Sequence, residues 1–312
     1  MNIAQLKDRA RETLRYSYWW SVMVSFLTAT GSSMILGTVM SIFYILLIFL
    51  GVLSTVGDYG EFESMTPAIA VSFLTTAAVF YAVFAAVVFF IINPLKSGHV
   101  AFYVKAANND LRFGNLFDGF RHNYTNKVKT MFLYTWYIAM WIVLWSLLFG
   151  VITAVLLFVA SAAVASVSNG GGAVTENMAD FLSGESGMAI EFILGLCPVL
   201  WSLLLGLLVY MKKCQYFMVE YIIAENPEIS SKRAFEISKK TMRGQKFNLF
   251  MLDLSFIGWY LLGYIVCFMG LFFVVPYHFA AKAQCYLYLK DYAVRSGYAE
   301  YSDFSSIKAN IF

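Results

Sequence analysis

Long continuous runs of apolar residues alternate along the chain with shorter segments that carry most of its charge. These runs reach or approach the ~20 residues that a helix needs to cross the hydrocarbon core of a bilayer. A run of that length must be helical, because lipid offers no partner to backbone N–H and C=O groups. The pattern predicts an all-α polytopic membrane protein with six transmembrane helices, at about residues 20–53, 67–93, 131–165, 189–211, 247–264 and 266–289.

The Lys and Arg residues indicate on which side of the membrane each connecting segment lies. Segments 54–66 and 167–188 contain none of the 22 Lys and Arg residues. The segments assigned to the opposite side hold 21 basic and 11 acidic residues, a net charge of +10; they are 1–19, 94–130, 212–246 and 290–312. Cytoplasmic loops carry an excess of Lys and Arg. We therefore expect a multi-pass protein of the cytoplasmic membrane with both termini in the cytoplasm.

Composition supports the membrane class. The chain is 60% hydrophobic and 13% charged, whereas soluble domains carry about 25% charged residues. The runs are continuously apolar, which excludes a transmembrane β-barrel with its alternating strands. The first run, from Trp19 to about Leu53, is longer than the apolar region of a signal peptide, so we interpret it as an uncleaved span. The four cysteines lie in or beside apolar runs without paired spacing and are expected to be buried thiols.

An internal repeat is suggested by two segments of similar pattern. The segment LFDGFRHNYTNKVKTMF from Leu116 aligns with AFEISKKTMRGQKFNLF from Ala234, so that Phe117 matches Phe235. The N-terminal segment LKDRARETLRYSYWW has the same basic, amphipathic character. We predict a single integral-membrane domain built from three units, each an amphipathic cytoplasmic helix followed by a span out and a span back. The units cover about residues 1–110, 111–228 and 229–312.

The amphipathic helices are expected to lie on the membrane surface. In the first, Ile3, Leu6, Ala10 and Leu14 recur at helical spacing, which suits the headgroup region with cations directed toward anionic lipid headgroups. The third is expected at about 231–243, with Ser230 as its N-cap and Gly244 ending it. Its basic residues are Lys232, Arg233, Lys239, Lys240 and Arg243. These residues either set the topology and anchor the helix at the membrane surface, or surround a cytoplasmic vestibule that attracts an anionic lipid or peptide. No nucleic-acid partner is expected, because no binding motif accompanies the charge.

Ionisable residues inside an apolar run are candidates for a functional site. Asp253 lies in the fifth predicted span and Lys282 in the sixth, with His278 one helical turn from Lys282 on the same face. The two spans are joined by a short connection, so we predict that Asp253 pairs with Lys282 or His278. Three interpretations stay open: a structural contact that locks the last hairpin, a proton relay or substrate site, or an Asp253 that extends to the interface.

Motifs of catalysis are absent from the sequence. It contains no HExxH, no GxSxG and no P-loop. Its three histidines, His99, His122 and His278, are too scattered to have metal-ligand spacing. We therefore expect no metal site, no cofactor and no catalytic residues.

The chain resembles a known family over essentially its whole length. The segments LKDRARETLRYSYWWSVMVSFL, YIIAENPEISSKRAFEISKKTMRGQKFNLFMLDLSFIGWYLL and VVPYHFAAKAQCYLYL are similar to the bacterial integral-membrane family called domain of unknown function 975. The resemblance implies six spans and no assigned activity. A fainter likeness links the chain to the membrane domain of some glycerophosphodiester phosphodiesterases, but no phosphodiesterase domain is present.

Two functions remain after this survey, with an intramembrane enzyme the least supported. In the first, the protein is non-enzymatic and binds or moves an amphiphile, which is a lipid, a peptide or a small hydrophobic compound. In the second, it is a membrane scaffold whose cytoplasmic helices dock a protein partner. A cavity lined by Asp253 would favour the first function. A solid bundle with an apolar groove on its cytoplasmic helices would favour the second.

Overall fold

The computed structural model describes residues 2–56, 67–110, 112–121, 123–168, 185–265 and 270–304, except for the side chains of 50–56, 67–70, 73, 156, 157, 159–168, 185–195 and 197. The predicted outer segments fall mostly outside these residues, as do His122 and Cys267. The described part contains no strand. Its α-helices are α1 (Ile3–Val56), α2 (Pro67–Val87), α3 (Asn93–Ala107), α4 (Tyr124–Ser168), α5 (Glu185–Gln215), α6 (Phe217–Glu225), α7 (Ser231–Thr241), α8 (Lys246–Ile265) and α9 (Leu271–Arg295).

The all-α prediction is confirmed for the described residues, and the apolar helices agree with a membrane protein. Four helical stretches in this part of the chain are long and apolar enough to cross a bilayer: Ile3–Phe49, Leu74–Ala107, Tyr124–Val155 and Lys246–Ile265. The predicted spans at 189–211 and 266–289 include residues that the structure does not describe fully. Six spans therefore remain a prediction.

Helix α1 joins the predicted surface helix and the first span in one helix of 54 residues. The apolar side chains of its first turns, Leu6, Ala10 and Leu14, are buried in the protein, where α1 packs along α9. The Nε2 amide of Gln284 donates a hydrogen bond to the Thr13 hydroxyl at 3.1 Å across this contact. The prediction that this face lies against lipid headgroups is therefore wrong, because α9 provides a closely packed protein surface for it.

The backbones of α3 and a 3-10 helix, Phe113–Phe120, touch at two glycines. A Cβ added to Gly98 would lie 1.7 Å from the carbonyl oxygen of Leu116, and one added to Gly119 would lie 1.8 Å from that of Pro94. Only glycine permits such an approach. The segment from Leu116 begins in this 3-10 helix, whereas the segment aligned with it begins within α7 and continues into α8. A π-helical turn, Val88–Ile92, precedes α3 and carries the helix past the predicted end of the second span.

The chain divides into two compact units, residues 1–133 with 215–312 and residues 134–214. In the second unit α4 and α5 pack through aromatic rings, with Phe149 stacked on Trp201 at 5.1 Å between ring centres. The side-chain clusters and grooves described below belong to the first unit. Both boundaries of this division fall within the second predicted repeat unit, 111–228, and the repeat remains a prediction.

Candidate functional site

A cluster of polar side chains connects α8 to α9. Oδ1 of Asp253 lies 2.7 Å from Nε2 of His278 and 3.3 Å from Nζ of Lys282. The two helices pair closely near their connection, where the backbones of Gly263 and Gly270 meet without room for a side chain. The structure thus brings together the three residues selected from the sequence, and the predicted contact of Asp253 is present.

Tyr260 also belongs to this cluster, although the sequence analysis missed it. Its hydroxyl lies 2.8 Å from Nδ1 of His278. An ionised carboxylate only accepts hydrogen bonds, so Nε2 of a neutral His278 donates to Asp253, and Nδ1 accepts from the Tyr260 hydroxyl. A chain of hydrogen bonds therefore runs from Tyr260 through His278 to Asp253. Tyr260 lies two helical turns after Asp253 on the same face, and this spacing was the available signal.

Lys282 compensates the charge of Asp253, and residues of α8 and α1 enclose the cluster. The ring of Phe256 stacks on His278 with 4.6 Å between ring centres. Lys7 of α1 closes one side, since its ammonium donates to the carbonyl of Ser255 at 3.3 Å and lies 4.6 Å from the Phe256 ring centre. An ionised carboxylate at membrane depth is costly unless it is paired in this way. The cluster thus holds the Asp253 carboxylate between an imidazole and an ammonium group.

A second polar cluster joins α1 to α3. The Ser25 hydroxyl lies 2.7 Å from the hydroxyl of Tyr103 and 3.3 Å from Nε2 of His99, and all three side chains are buried. The Tyr103 hydroxyl also donates to the carbonyl of Ser21 at 3.2 Å. These bonds satisfy polar groups that hydrocarbon would otherwise leave unpaired. The signal in the sequence is serine at every fourth position of α1, from Ser17 to Ser25.

Helix α7, predicted at about 231–243, is found at Ser231–Thr241. The Ser230 hydroxyl caps it by accepting a hydrogen bond from the Arg233 N–H at 3.3 Å. Gly244 follows with a positive φ of 91°, which favours glycine. One face of the helix is buried in the protein; it carries Ala234, Ile237, Ser238 and Thr241.

The five basic residues predicted as one group take different roles in the structure. The Arg233 guanidinium binds Asp303 through two contacts, Nη2–Oδ2 at 2.8 Å and Nε–Oδ1 at 3.2 Å. The hydrogen bond from Arg233 holds the pKa of Asp303 below its ordinary value. Arg233 therefore fixes the short 3-10 helix Tyr301–Asp303 against α7. Lys232 is exposed and does not line the groove described next.

The other three basic residues of that group line a groove at the α7–α8 turn. We call it the α7–α8 groove; it has a volume of about 600 Å³, and its charged lining residues are Glu236, Lys239, Lys240, Arg243 and Lys246. The ammonium of Lys240 lies 2.7 Å from Oε1 of Glu236. Four cations thus face one carboxylate, and the groove attracts anions.

A further groove lies where α1 meets α8 and α9. We call it the arginine–aromatic groove; it has a volume of about 530 Å³ and is lined by Arg11, Arg15, Leu14, Tyr18, Trp259, Phe273, Val274 and Tyr277. Arg11 and Arg15 are one helical turn apart, and the Arg11 guanidinium lies 5.6 Å from the ring centre of Tyr277. Tyr18 stacks on Phe273 at 6.1 Å. Two cationic groups therefore border a mostly apolar wall.

Comparison with known proteins identifies the family. The family described as "Protein of unknown function (DUF975)" matches residues 5–293. The chain belongs to this family, and the resemblance stated from its motifs is confirmed. No curated protein and no solved structure matches the chain, so the fainter likeness to a phosphodiesterase membrane domain is not supported.

Proposed function

Starting from membership of a family whose description gives no function, we propose that this protein binds or moves an anionic amphiphile in the cytoplasmic membrane, without catalysing a reaction. Asp253 lines neither the arginine–aromatic groove nor the α7–α8 groove, so the proposal does not rest on the cavity that was expected at Asp253. The arginine–aromatic groove carries the proposal, because its two arginines distinguish it from the purely apolar groove expected of a scaffold. Its volume of about 530 Å³ falls in the range of ~300–1,000 Å³ typical of small-molecule pockets. Its lining matches a molecule with a charged head and an apolar tail.

The two guanidiniums would hold the head of this molecule. Arg11 and Arg15 are exposed, and the Arg11 guanidinium lies 3.5 Å from the carboxylate of Asp8, which is also exposed. Such a solvent-exposed pair contributes little, so an anion can replace it. A guanidinium binds carboxylate or phosphate oxygens in a two-pronged arrangement. The predicted chemistry of the head is therefore a carboxylate or a phosphate.

The aromatic wall would hold the tail. Trp259 is 48% and Phe273 57% exposed, and both lie in helices that belong to the predicted last hairpin. Side chains of this type are favoured where one end of a ligand is apolar and the other is hydrated. The groove thus combines an interfacial head site with an apolar path toward the membrane.

The topology that this proposal assumes is the predicted one. Six spans in three units place both termini in the cytoplasm, and the confinement of Lys and Arg to one set of segments supports it. We expect Ser64→Cys and Ser183→Cys to react with a membrane-impermeant maleimide from outside intact cells. Lys232→Cys, at an exposed position of α7, should react only after the membrane is opened. Labelling of Lys232→Cys in intact cells would contradict the topology.

Fluorescence of Trp259 tests the amphiphile site. Quenching of tryptophan fluorescence is measured with phosphatidylglycerol and with phosphatidylcholine, each carrying brominated acyl chains. The quenching of Trp259 is the difference between the unsubstituted protein and the Trp259→Phe variant. We expect phosphatidylglycerol to quench more strongly. The double variant Arg11→Gln/Arg15→Gln should lower this preference by about fivefold for each charge removed.

The matched control removes two exposed cations outside the groove, as Arg9→Gln/Lys232→Gln. It should retain the preference for phosphatidylglycerol. Equal quenching by both lipids in the unsubstituted protein, or an equal loss in both double variants, would contradict the proposal.

A further inference from the structure

We propose that the α7–α8 groove is a second site, which binds the headgroup of an anionic phospholipid from the bilayer that α8 enters. The inference goes beyond the amphiphile proposed above and does not rest on it, because the two grooves share no lining residue. It requires only that α8 crosses the membrane, for which α8 is long and apolar enough.

The charge of the groove is largely uncompensated. Glu236 is engaged by Lys240 at 2.7 Å and by Arg233 at 3.5 Å. Among the described residues, no carboxylate lies within ion-pair distance of Lys239, Arg243 or Lys246. Three cations are therefore available to an anion. Arg233 on the same helix differs, since Asp303 occupies its guanidinium.

The backbone at this turn adds to the attraction. Gly244, with φ +91°, lies in the turn between α7 and α8, and Arg243 and Lys246 on either side of it line the same groove. Lys246 begins α8, a helix of 20 residues. The first N–H groups of a helix lack partners within the helix and form its positive end. A phosphate in the groove would thus meet three side-chain cations beside a helix N-terminus.

The position of the groove selects a lipid as the occupant. Lys246 is the first residue of the stretch that can span the membrane. Phe247 follows it with 63% of its side chain exposed, and Leu254 and Ile257 further along α8 are 43% and 49% exposed. A headgroup held by the cations would leave its acyl chains beside this apolar face. A soluble anion or an acidic protein segment would make no use of that face.

Lipid retention tests the site. The full-length protein is placed in nanodiscs containing phosphatidylglycerol and phosphatidylcholine, and bound lipids are counted by native mass spectrometry after release. We expect preferential retention of phosphatidylglycerol. The triple variant Lys239→Gln/Arg243→Gln/Lys246→Gln should weaken retention by about fivefold for each charge removed.

A matched triple variant removes the same charge elsewhere, as Arg121→Gln/Lys129→Gln/Lys232→Gln. It should retain phosphatidylglycerol as the unsubstituted protein does, and Lys239→Arg/Lys246→Arg should as well, because charge is preserved. Phe247→Gln should lower retention of phosphatidylglycerol while leaving the binding of water-soluble glycerol phosphate unchanged. Equal losses in both triple variants would overturn the site.

Two further outcomes would overturn the lipid as occupant. The first is that glycerol phosphate binds as tightly as phosphatidylglycerol. The second is that the triple variant retains as many lipids as the unsubstituted protein but no longer binds an acidic peptide. The two proposals fail separately. The triple variant should leave Trp259 quenching unchanged, and Arg11→Gln/Arg15→Gln should leave retention at the α7–α8 groove unchanged.

Discussion

Helix α9 carries two ion pairs that differ in their surroundings. Lys290 lies 2.5 Å from Glu225, and the two side chains are 5% and 4% exposed. Lys282, about two turns earlier, lies 3.3 Å from Asp253, and these side chains are 24% and 20% exposed. We call them the sealed pair and the open pair.

Neighbouring side chains contact both members of the sealed pair. Tyr286 donates to the second carboxylate oxygen of Glu225 at 2.5 Å, and the ammonium of Lys290 lies 5.1 Å from the ring centre of Phe304. Neither charge has water as a replacement partner. The open pair retains alternatives, because Asp253 also binds His278 and because Lys282 is part-exposed. The comparison indicates that the sealed pair fixes structure, whereas the open pair can change partners.

Removing one member of the sealed pair should have the largest effect. Glu225→Ala leaves the Lys290 ammonium buried without its carboxylate, which costs about 3–5 kcal/mol of the free energy of unfolding. Denaturation in detergent measures this loss. Glu228→Ala, at an exposed position, serves as the control and should change stability by less than ~0.5 kcal/mol. Similar losses for both variants would remove the distinction between sealed and exposed carboxylates.

The open pair should tolerate the same change better. Asp253→Ala should cost about 1–3 kcal/mol, because His278 loses its acceptor while Lys282 turns toward water. A double-mutant cycle with Lys282→Ala should give a coupling energy of about 0.5–3 kcal/mol, so that the double variant costs less than the sum of the single ones. Strictly additive losses would show that the 3.3 Å contact contributes no pairing energy.

Tyr260→Phe sharpens the comparison within the open pair. The substitution removes the hydrogen bond to Nδ1 of His278 and leaves the ring in place, which should cost about 0.5–1.5 kcal/mol. Tyr16→Phe, in α1, is the matched control because Tyr16 is 80% exposed. If Tyr260→Phe were as neutral as the control, the hydrogen-bond chain would end at His278.

The smallest effect is expected at Arg233–Asp303, outside the predicted spans. The hydrogen bond from Arg233 lowers the pKa of Asp303, so the contact stabilises the folded state above the ordinary aspartate pKa of ~3.9. This contribution is lost as the pH falls through the lower, folded-state pKa. Water screens the pair, which keeps the effect below about 1 kcal/mol. Asp303→Asn should therefore reduce the loss of stability below about pH 4, and an unchanged acid profile would contradict this assignment.

The sequence predicted the helices and the contact of Asp253 for clear physical reasons. Long apolar runs have few alternatives to helix in lipid, and an isolated carboxylate in such a run needs a partner. Tyr260 was missed because tyrosine is common in apolar helices, and the sequence does not show which neighbouring group a tyrosine hydroxyl contacts. The buried face of Leu6, Ala10 and Leu14 was assigned to lipid because an apolar stripe has the same pattern against protein or membrane. The α3 contact at Gly98 depends on distant backbone, which local pattern does not encode.

The length of α1 has a mechanical consequence. At 1.5 Å per residue its 54 residues extend roughly 80 Å, against a hydrocarbon core of ~30 Å. An unbroken rod of this kind adapts to a thinner or thicker bilayer by changing its tilt. In the predicted topology, such a tilt would shift the opposite end of α1, which bears Arg11 and Arg15, relative to α9. We therefore expect bilayer thickness to affect the width of the arginine–aromatic groove.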